Sequence, residues 1–361
     1  MNHKRRIEKL RSRLKRQRID ALIVSNDANV QYLTGFTGGE STALIGRDFA
    51  VLITDFRYTE QAEAETAGSG VRIIERRGSM WRKVAAEIRR LKVGVVGFEP
   101  RSMTVQSFDE LRKHLRGVEL KPAGGQIEAL RACKSAEEVK LIREAIRIAE
   151  RAFLECRPLL KVGVTEKDVA DELEWRMRRS GAECAAFPVI VAFGERAALP
   201  HARPTDRKLR PDEMILIDWG ARFRGYNCDL TRVLFTGRIP QRFRARYKAV
   251  IEAQRRAILR IKHGASAAHV FDGALKSLKR HRLGNKFRHG LGHGVGLCVH
   301  EEPTLSARAK GILRAGMVVT VEPGVYFRGW GGIRVEDMVQ VTRGGCRVLT
   351  GLPRDLESVA L

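Results

Sequence analysis

The chain has 361 residues, with 67 Lys and Arg against 42 Asp and Glu for a net charge of +25, and 43% of it is hydrophobic. That apolar share can build one large or two smaller cores and excludes a disordered or fibrous chain. No segment approaches the roughly 20 apolar residues that span a bilayer, and the 6 scattered cysteines form no CxxC pair, which argues against a disulfide scaffold or a zinc knuckle.

The N-terminus, Met1 to Arg6, is basic but leads into no apolar signal core; Ile7, Leu10 and Leu14 recur at helical spacing instead. A cytoplasmic protein is expected. The basic residues are spread along the chain, many on the presumptive helical faces 241–262 and 276–288, and aromatics are only 6%. A solvated arginine-rich surface is therefore expected, with neither a membrane nor a nucleic acid as partner.

Leu22 to Val24, Ala50 to Ile53 and Val93 to Gly97 read as strands, with helical patterns at about 5–18, 58–67 and 80–91. The run Pro122-Ala-Gly-Gly125 breaks the pattern and reads as a linker. An α/β domain over 1–124 and a second domain over 125–361 are expected.

The second part carries an internal repeat. Ser135-Ala-Glu-Glu138 is a capping box opening a helix with Val139, Ile142, Ile146, Ala149 and Phe153 on one stripe. A turn at Gly163 and a cap at Thr165 follow, then a helix bearing Val169, Leu173 and Met177. The same plan recurs from Tyr247 through Gly264, 101 residues after Gly163, to Val270, Phe271 and Leu278.

Carboxylates follow the repeat. Asp218 lies 55 residues beyond Gly163, and Glu322 lies 58 beyond Gly264. A second acid comes 11 residues after the first (Asp229) and 14 after the third (Glu336). Met214 to Ile217 and Met317 to Val321 are strand-like runs leading into Asp218 and Glu322, so these acids should be buried. Buried carboxylates need charge compensation, and a pair of divalent cations supplies it for four. Alternation along a strand puts Thr231 on the face of Asp229, and Arg334 on that of Glu336. The glycines at 290, 292, 294 and 296 exclude a helix there, because each costs about 1 kcal/mol in one. His289 and His293 are thus not a helical zinc-protease pair.

These residues resemble the pita-bread metallopeptidases, specifically aminopeptidase P and prolidase. The resemblance runs through Tyr32-Leu-Thr-Gly-Phe36, Thr54-Asp-Phe-Arg-Tyr58, Leu130 to Ser135, Leu199-Pro-His201, Asp218 to Arg232, His289 to Leu297, Val299-His-Glu301, Glu322-Pro-Gly324 and Arg334-Val-Glu336. It implies a mixed α/β (α+β) fold: a creatinase-like N-terminal domain, then a pita-bread catalytic domain with a pseudo-twofold repeat on a curved antiparallel sheet. It implies metal ligation by Asp218, Asp229, His293, Glu322 and Glu336, with Asp218 bidentate on one ion and Asp229 and Glu336 bridging. His201, His289, His300 and Arg334 match substrate-site residues, and a homodimer is implied. The chain departs from the family pattern at Glu195-Arg-Ala197 and at Ala202, which bears on pocket shape and not on the ligands.

The donor set, oxygen-rich with one imidazole and no thiolate, suits Mn2+, with Co2+ or Zn2+ as alternatives. Two ions about 3.5–4 Å apart share a hydroxide, lower its pKa and polarise a scissile carbonyl. Glu322 is the candidate proton carrier, and His201 or His300 the donor to the oxyanion. An Xaa-Pro aminopeptidase is the expected activity. The alternative is a prolidase restricted to Xaa-Pro dipeptides, and a rival of another class is a silent pita-bread protein binding nucleic acid or protein through its basic surface.

Overall fold

A computed structural model of the protein describes residues 1–361. The chain divides into two compact units, Met1–Arg131 and Ala132–Leu361. The boundary lies seven residues beyond the expected one at 124/125, for a local reason. Glu128–Arg131 forms a helical turn whose Glu128 and Arg131 side chains both hydrogen-bond to the buried Asn29, at 2.9 and 2.7 Å.

The first unit alternates helices α1 (His3–Arg16), α2 (Asp27–Thr34), α3 (Thr59–Thr66), α4 (Met80–Arg90), α5 (Val105–Lys113) and α6 (Glu128–Arg131) with strands β1 (Ala21–Val24), β2 (Thr42–Gly46), β3 (Ala50–Thr54), β4 (Arg72–Glu75), β5 (Val95–Phe98) and β6 (Glu119–Pro122). One mixed sheet results, in the order β4-β3-β2-β1-β5-β6. β1, β2 and β3 are buried on both faces, as their unbroken apolar runs require.

The second unit begins with the paired helices α7 (Ala136–Cys156) and α8 (Glu166–Arg179). Both carry the N-terminal caps read from sequence: Ser135 and Glu138 form the expected capping box, and at the Thr165 cap the structure adds Asp168 to make a second one. Strands β7 (Cys184–Ala185), β8 (Ile190–Phe193), β9 (Met214–Trp219), β10 (Ala221–Phe223), β11 (Tyr226–Asn227) and β12 (Leu230–Phe235) follow. The next helical pair is α9 (Gln241–Ile258) and α10 (Ala267–Arg280). Then come β13 (Gly292–Gly294), β14 (Glu301–Leu305), β15 (Val318–Val321), β16 (Gly324–Phe327), β17 (Gly331–Arg334), β18 (Asp337–Val341) and β19 (Cys346–Val348). The basic stretch 276–288, expected on a helical face, is helical only to Arg280, because Arg282 takes a positive φ of 57° that the helix cannot continue through.

The two halves repeat at the level of single hydrogen bonds. Gly163, at φ +99°, donates to Leu209 O at 2.9 Å, and Gly264, at φ +84°, donates to Leu313 O at the same distance. Leu209 and Leu313 each donate back, to Val164 O and Ala265 O, both at 2.8 Å. All strand pairs of this unit are antiparallel, in the orders β12-β9-β8, β11-β10-β7, β14-β13-β15-β18-β19 and β16-β17. The antiparallel sheet structure expected of this unit is thus built from several short ladders. The halves meet where Thr231 of β12 bridges Glu336, whose N–H donates to Thr231 O at 3.2 Å.

Behind the strands lies an apolar core that includes Leu216, Val233, Val250, Val270, Val319 and Val339. Trp219 stacks on Phe153 at 4.6 Å and donates its indole N–H to Ala149 O. Beside it, Gly220 faces the carbonyl of Cys228 so closely that a Cβ would fall 1.9 Å from the oxygen. This approach sets the hairpin joining Asp218 to Asp229. Gly220→Ala is expected to lower stability by about 2 kcal/mol or more, whereas Gly344→Ala, with nothing within 4 Å of its Cβ, should stay within about 0.5 kcal/mol of wild type. Thermal denaturation of both variants checks this.

Candidate metal centre

β9 ends by presenting Asp218, and Asp229 directly precedes β12, which pairs with it; Thr231 faces Asp218 in the ladder. His293 lies on β13, where Gly292 lets the chain press against Thr320: a Cβ there would sit 2.1 Å from Thr320 O. Glu322 follows β15, and Glu336 lies between β17 and β18. The candidate ligand atoms of Asp229, His293 and Glu336 all come within 4.8 Å of one another. His293 Nε2 is 3.4 Å from Glu322 Oε1 and 3.6 Å from Asp229 Oδ2. Asp218 joins through Arg334, which contacts Thr231 as well.

The hydrogen bonds leave the cluster short of protons. Glu336 Oε2 accepts from Thr231 at 2.7 Å, and Asp218 Oδ2 accepts from Arg334 at 2.5 Å. Their other oxygens, Glu336 Oε1 and Asp218 Oδ1, are buried without any partner. His293 Nδ1 faces Gly294 O at 3.2 Å, which accepts only, so Nδ1 carries the hydrogen and Nε2 turns a bare lone pair toward the carboxylates. Bare buried acceptors facing one another are repulsive unless a cation or extra protons lie between them. The site fits cations: hard oxygen donors, one imidazole in the ligating tautomer, and no thiolate.

The titration of these groups follows from the same crowding. Burial, with Glu336, Asp218 and Glu322 as neighbours, pushes Asp229 well above the usual carboxylate range. Burial likewise raises Glu336 and lifts Glu322 to about 7. Burial lowers His293 to about 4, and the adjacent His300 ring, 4.3 Å away between centroids, adds to that.

His289 is drawn into the same region. Its Nδ1 donates to Gly290 O at 2.8 Å, so its Nε2 is left to accept from the Tyr326 hydroxyl at 3.2 Å. Tyr326 in turn accepts from Arg334 at 2.7 Å. Both nitrogens of His289 therefore have partners within the protein. Burial lowers its pKa to about 4, with Arg334 and His201 contributing. His201 and His300 are exposed. Arg334 also donates to Pro200 O at 3.3 Å, which ties the backbone beside His201 to the cluster.

Tyr326 and Thr320 were missed in the sequence. Thr320 Oγ1 accepts from His293 N–H at 3.1 Å and faces Glu322 Oε1 at 3.2 Å. Its signal was the alternation that puts Thr320 two residues before Glu322 on one strand face. Tyr326 is two residues after Gly324, where a Cβ would meet both Tyr326 OH at 2.5 Å and His289 Nε2 at 2.8 Å.

The model of metallopeptidase family M24 matches residues 140–343, and that of the creatinase/prolidase N-terminal domain matches residues 6–133. The chain is 32% identical over 359 residues to an Xaa-Pro dipeptidase of Pyrococcus horikoshii, covering 99% of each. A solved Xaa-Pro dipeptidase from Bacillus anthracis superposes over all of both chains with a TM-score of 0.96 at 35% identity. A solved X-Pro aminopeptidase from Thermotoga maritima gives a TM-score of 0.88 at 36% identity, covering 95% of this chain and 99% of that one.

A group whose folded-state pKa is raised keeps its full contribution to stability below its unfolded pKa and loses it as pH rises. Asp229 is such a group, and Asn has no proton to lose. In EDTA, Asp229→Asn should melt a few degrees above wild type near pH 8, with the gap closing toward about pH 4. A variant that melts lower near pH 8 contradicts the burial described.

Proposed function

The chain belongs to metallopeptidase family M24, of the pita-bread fold, and from that premise we propose that it is an Xaa-Pro dipeptidase, cleaving the bond between an N-terminal residue and a following proline. It is a metallopeptidase, which sets aside the silent binding scaffold. The aminopeptidase reading expected first gives way to the prolidase alternative. Whole-chain similarity to proteins described as Xaa-Pro dipeptidases supports the shorter substrate.

The observation that carries the site is the pair of buried acceptors without a partner, Asp218 Oδ1 and Glu336 Oε1, together with the half-buried His293 Nε2 facing Asp229 and Glu322. In this reading Asp218, Asp229, His293, Glu322 and Glu336 hold two divalent cations, and the oxygen-rich set favours Mn2+. Bound there, the pair supplies Lewis acidity and an activated water.

The chain's own residues do the rest. Glu322, beside His293 Nε2 and Thr320, takes a proton from the attacking water and returns it to the prolyl nitrogen as the C–N bond breaks. The proline nitrogen carries no hydrogen in the substrate, so this proton must be delivered. His300 and His201, exposed beside the cluster, donate ring N–H groups to the oxyanion and to the substrate's polar ends. Arg334 holds Asp218 and Tyr326, and Tyr326 fixes His289, so these act on the pocket's shape.

Hydrolysis of Ala-Pro and of Ala-Pro-Ala, both with added Mn2+, tests the substrate. The dipeptide should be cleaved with a kcat/KM at least about tenfold higher, the scale set by one charge-assisted contact to its free carboxylate. Equal or better cleavage of the tripeptide restores the aminopeptidase reading.

A further inference from the structure

We infer that Gln254, on α9, is a positioning residue for the metal centre: its side-chain amide ties together the two backbone segments that present Glu322 and Glu336. The inference rests on the ligand assignment above. The ladder between β15 and β18 ends at the Val321–Asp337 pair. There the chains part, with Glu322 following Val321 and Glu336 preceding Asp337. Two candidate ligands thus stand at a fork, where no further rung of that ladder fixes their separation.

Gln254 closes the fork from behind. Its Nε2 donates one hydrogen to Val321 O at 3.0 Å and one to Val335 O at 3.1 Å. These are the carbonyls of the residues immediately before Glu322 and Glu336. The side chain is 1% exposed and lies on a helix face otherwise filled by Val250, Ala253 and Ala257. Packing alone calls for an apolar residue there, so the amide has another reason. Its orientation is fixed from both ends, because two carbonyls demand the NH2 group while Oε1 accepts from Arg354 at 3.4 Å. Arg354 also pairs with Asp337 Oδ2 at 3.0 Å. Asp337 Oδ1 accepts from Arg232 at 2.8 Å, and Arg232 donates to Glu336 O at 2.6 Å. Gln254 is therefore one member of a buried frame gripping the backbone on both sides of Glu336, and the member that reaches across to Glu322.

Groups that orient metal ligands typically change metal affinity 10–100-fold when removed. The test is a Co2+ titration of the metal-stripped 361-residue chain, followed by the visible d–d bands, with thermal denaturation in EDTA alongside. Gln254→Met keeps the volume and removes both donors. It should bind Co2+ at least about tenfold more weakly, with altered band intensities. Tyr247→Phe removes a hydrogen bond of the same helix to Arg354 O and should lower stability without changing Co2+ affinity or bands. Should Gln254→Met fail to fold, the same titration of Gln254→Glu, which keeps the shape but offers at most one donor, must also show weakened binding. Wild-type affinity and spectrum in the folded Gln254 variant, or equal weakening in Tyr247→Phe, overturns the positioning role. Wild-type protein that binds no Co2+ overturns the metal centre itself, a distinguishable failure.

Discussion

Four carboxyl groups share a buried space into which a single guanidinium, that of Arg334, reaches. This imbalance of charge organises the second unit. Ionised together without cations, the acids would repel; protonated, they would give up their chemistry. The fold holds them at that point of tension. Thr231 takes one oxygen of Glu336, Arg334 takes one oxygen of Asp218, and the remaining oxygens are left bare and buried.

The repeat explains how one chain brings such groups together. Each half supplies a helical pair, a glycine turn, two acids at strand ends and a threonine: Thr231 of the first half donates to Glu336 of the second, and Thr320 of the second donates to Glu322 of its own half. Duplication places the four acids on opposite sides of a shared seam, which the Thr231–Glu336 bridge closes. Behind this front lies a second layer, where Arg232 and Asp337, 4% and 1% exposed at their side chains, form an ion pair among backbone carbonyls. Such a pair contributes little to stability when complete and costs about 3–5 kcal/mol when broken. It therefore holds a geometry more than it adds stability, which is what a site of crowded ligands needs.

Much of this was legible in the residues. The apolar runs into Asp218 and Glu322 announced buried strand ends, and the capping box at Ser135 and the cap at Thr165 announced the helices. The spacing of Gly163 and Gly264 announced the repeat, because a turn needing positive φ leaves a glycine behind. Other features carried weaker local signals. Tyr326 and Gln254 act through partners 37 and 67 residues away in sequence, and a tyrosine in a strand or a glutamine in a helix reads as ordinary packing. The partners of His289 were not legible, because residue type says only that an imidazole is present. Which nitrogen is free depends on Gly290 O and Tyr326 OH, which only the folded chain brings to it. The domain junction slipped for a like reason, since Asn29 claims the turn beyond Gly125.

The most direct test of the central claim is anomalous diffraction from crystals grown with Mn2+. Two peaks about 3.5–4 Å apart, bounded by Asp218, Asp229, His293, Glu322 and Glu336, are the expected result. Density for no ion there, with the four acids still converging, would mean that protons and Arg334 alone balance the cluster and that the centre is not a metal site.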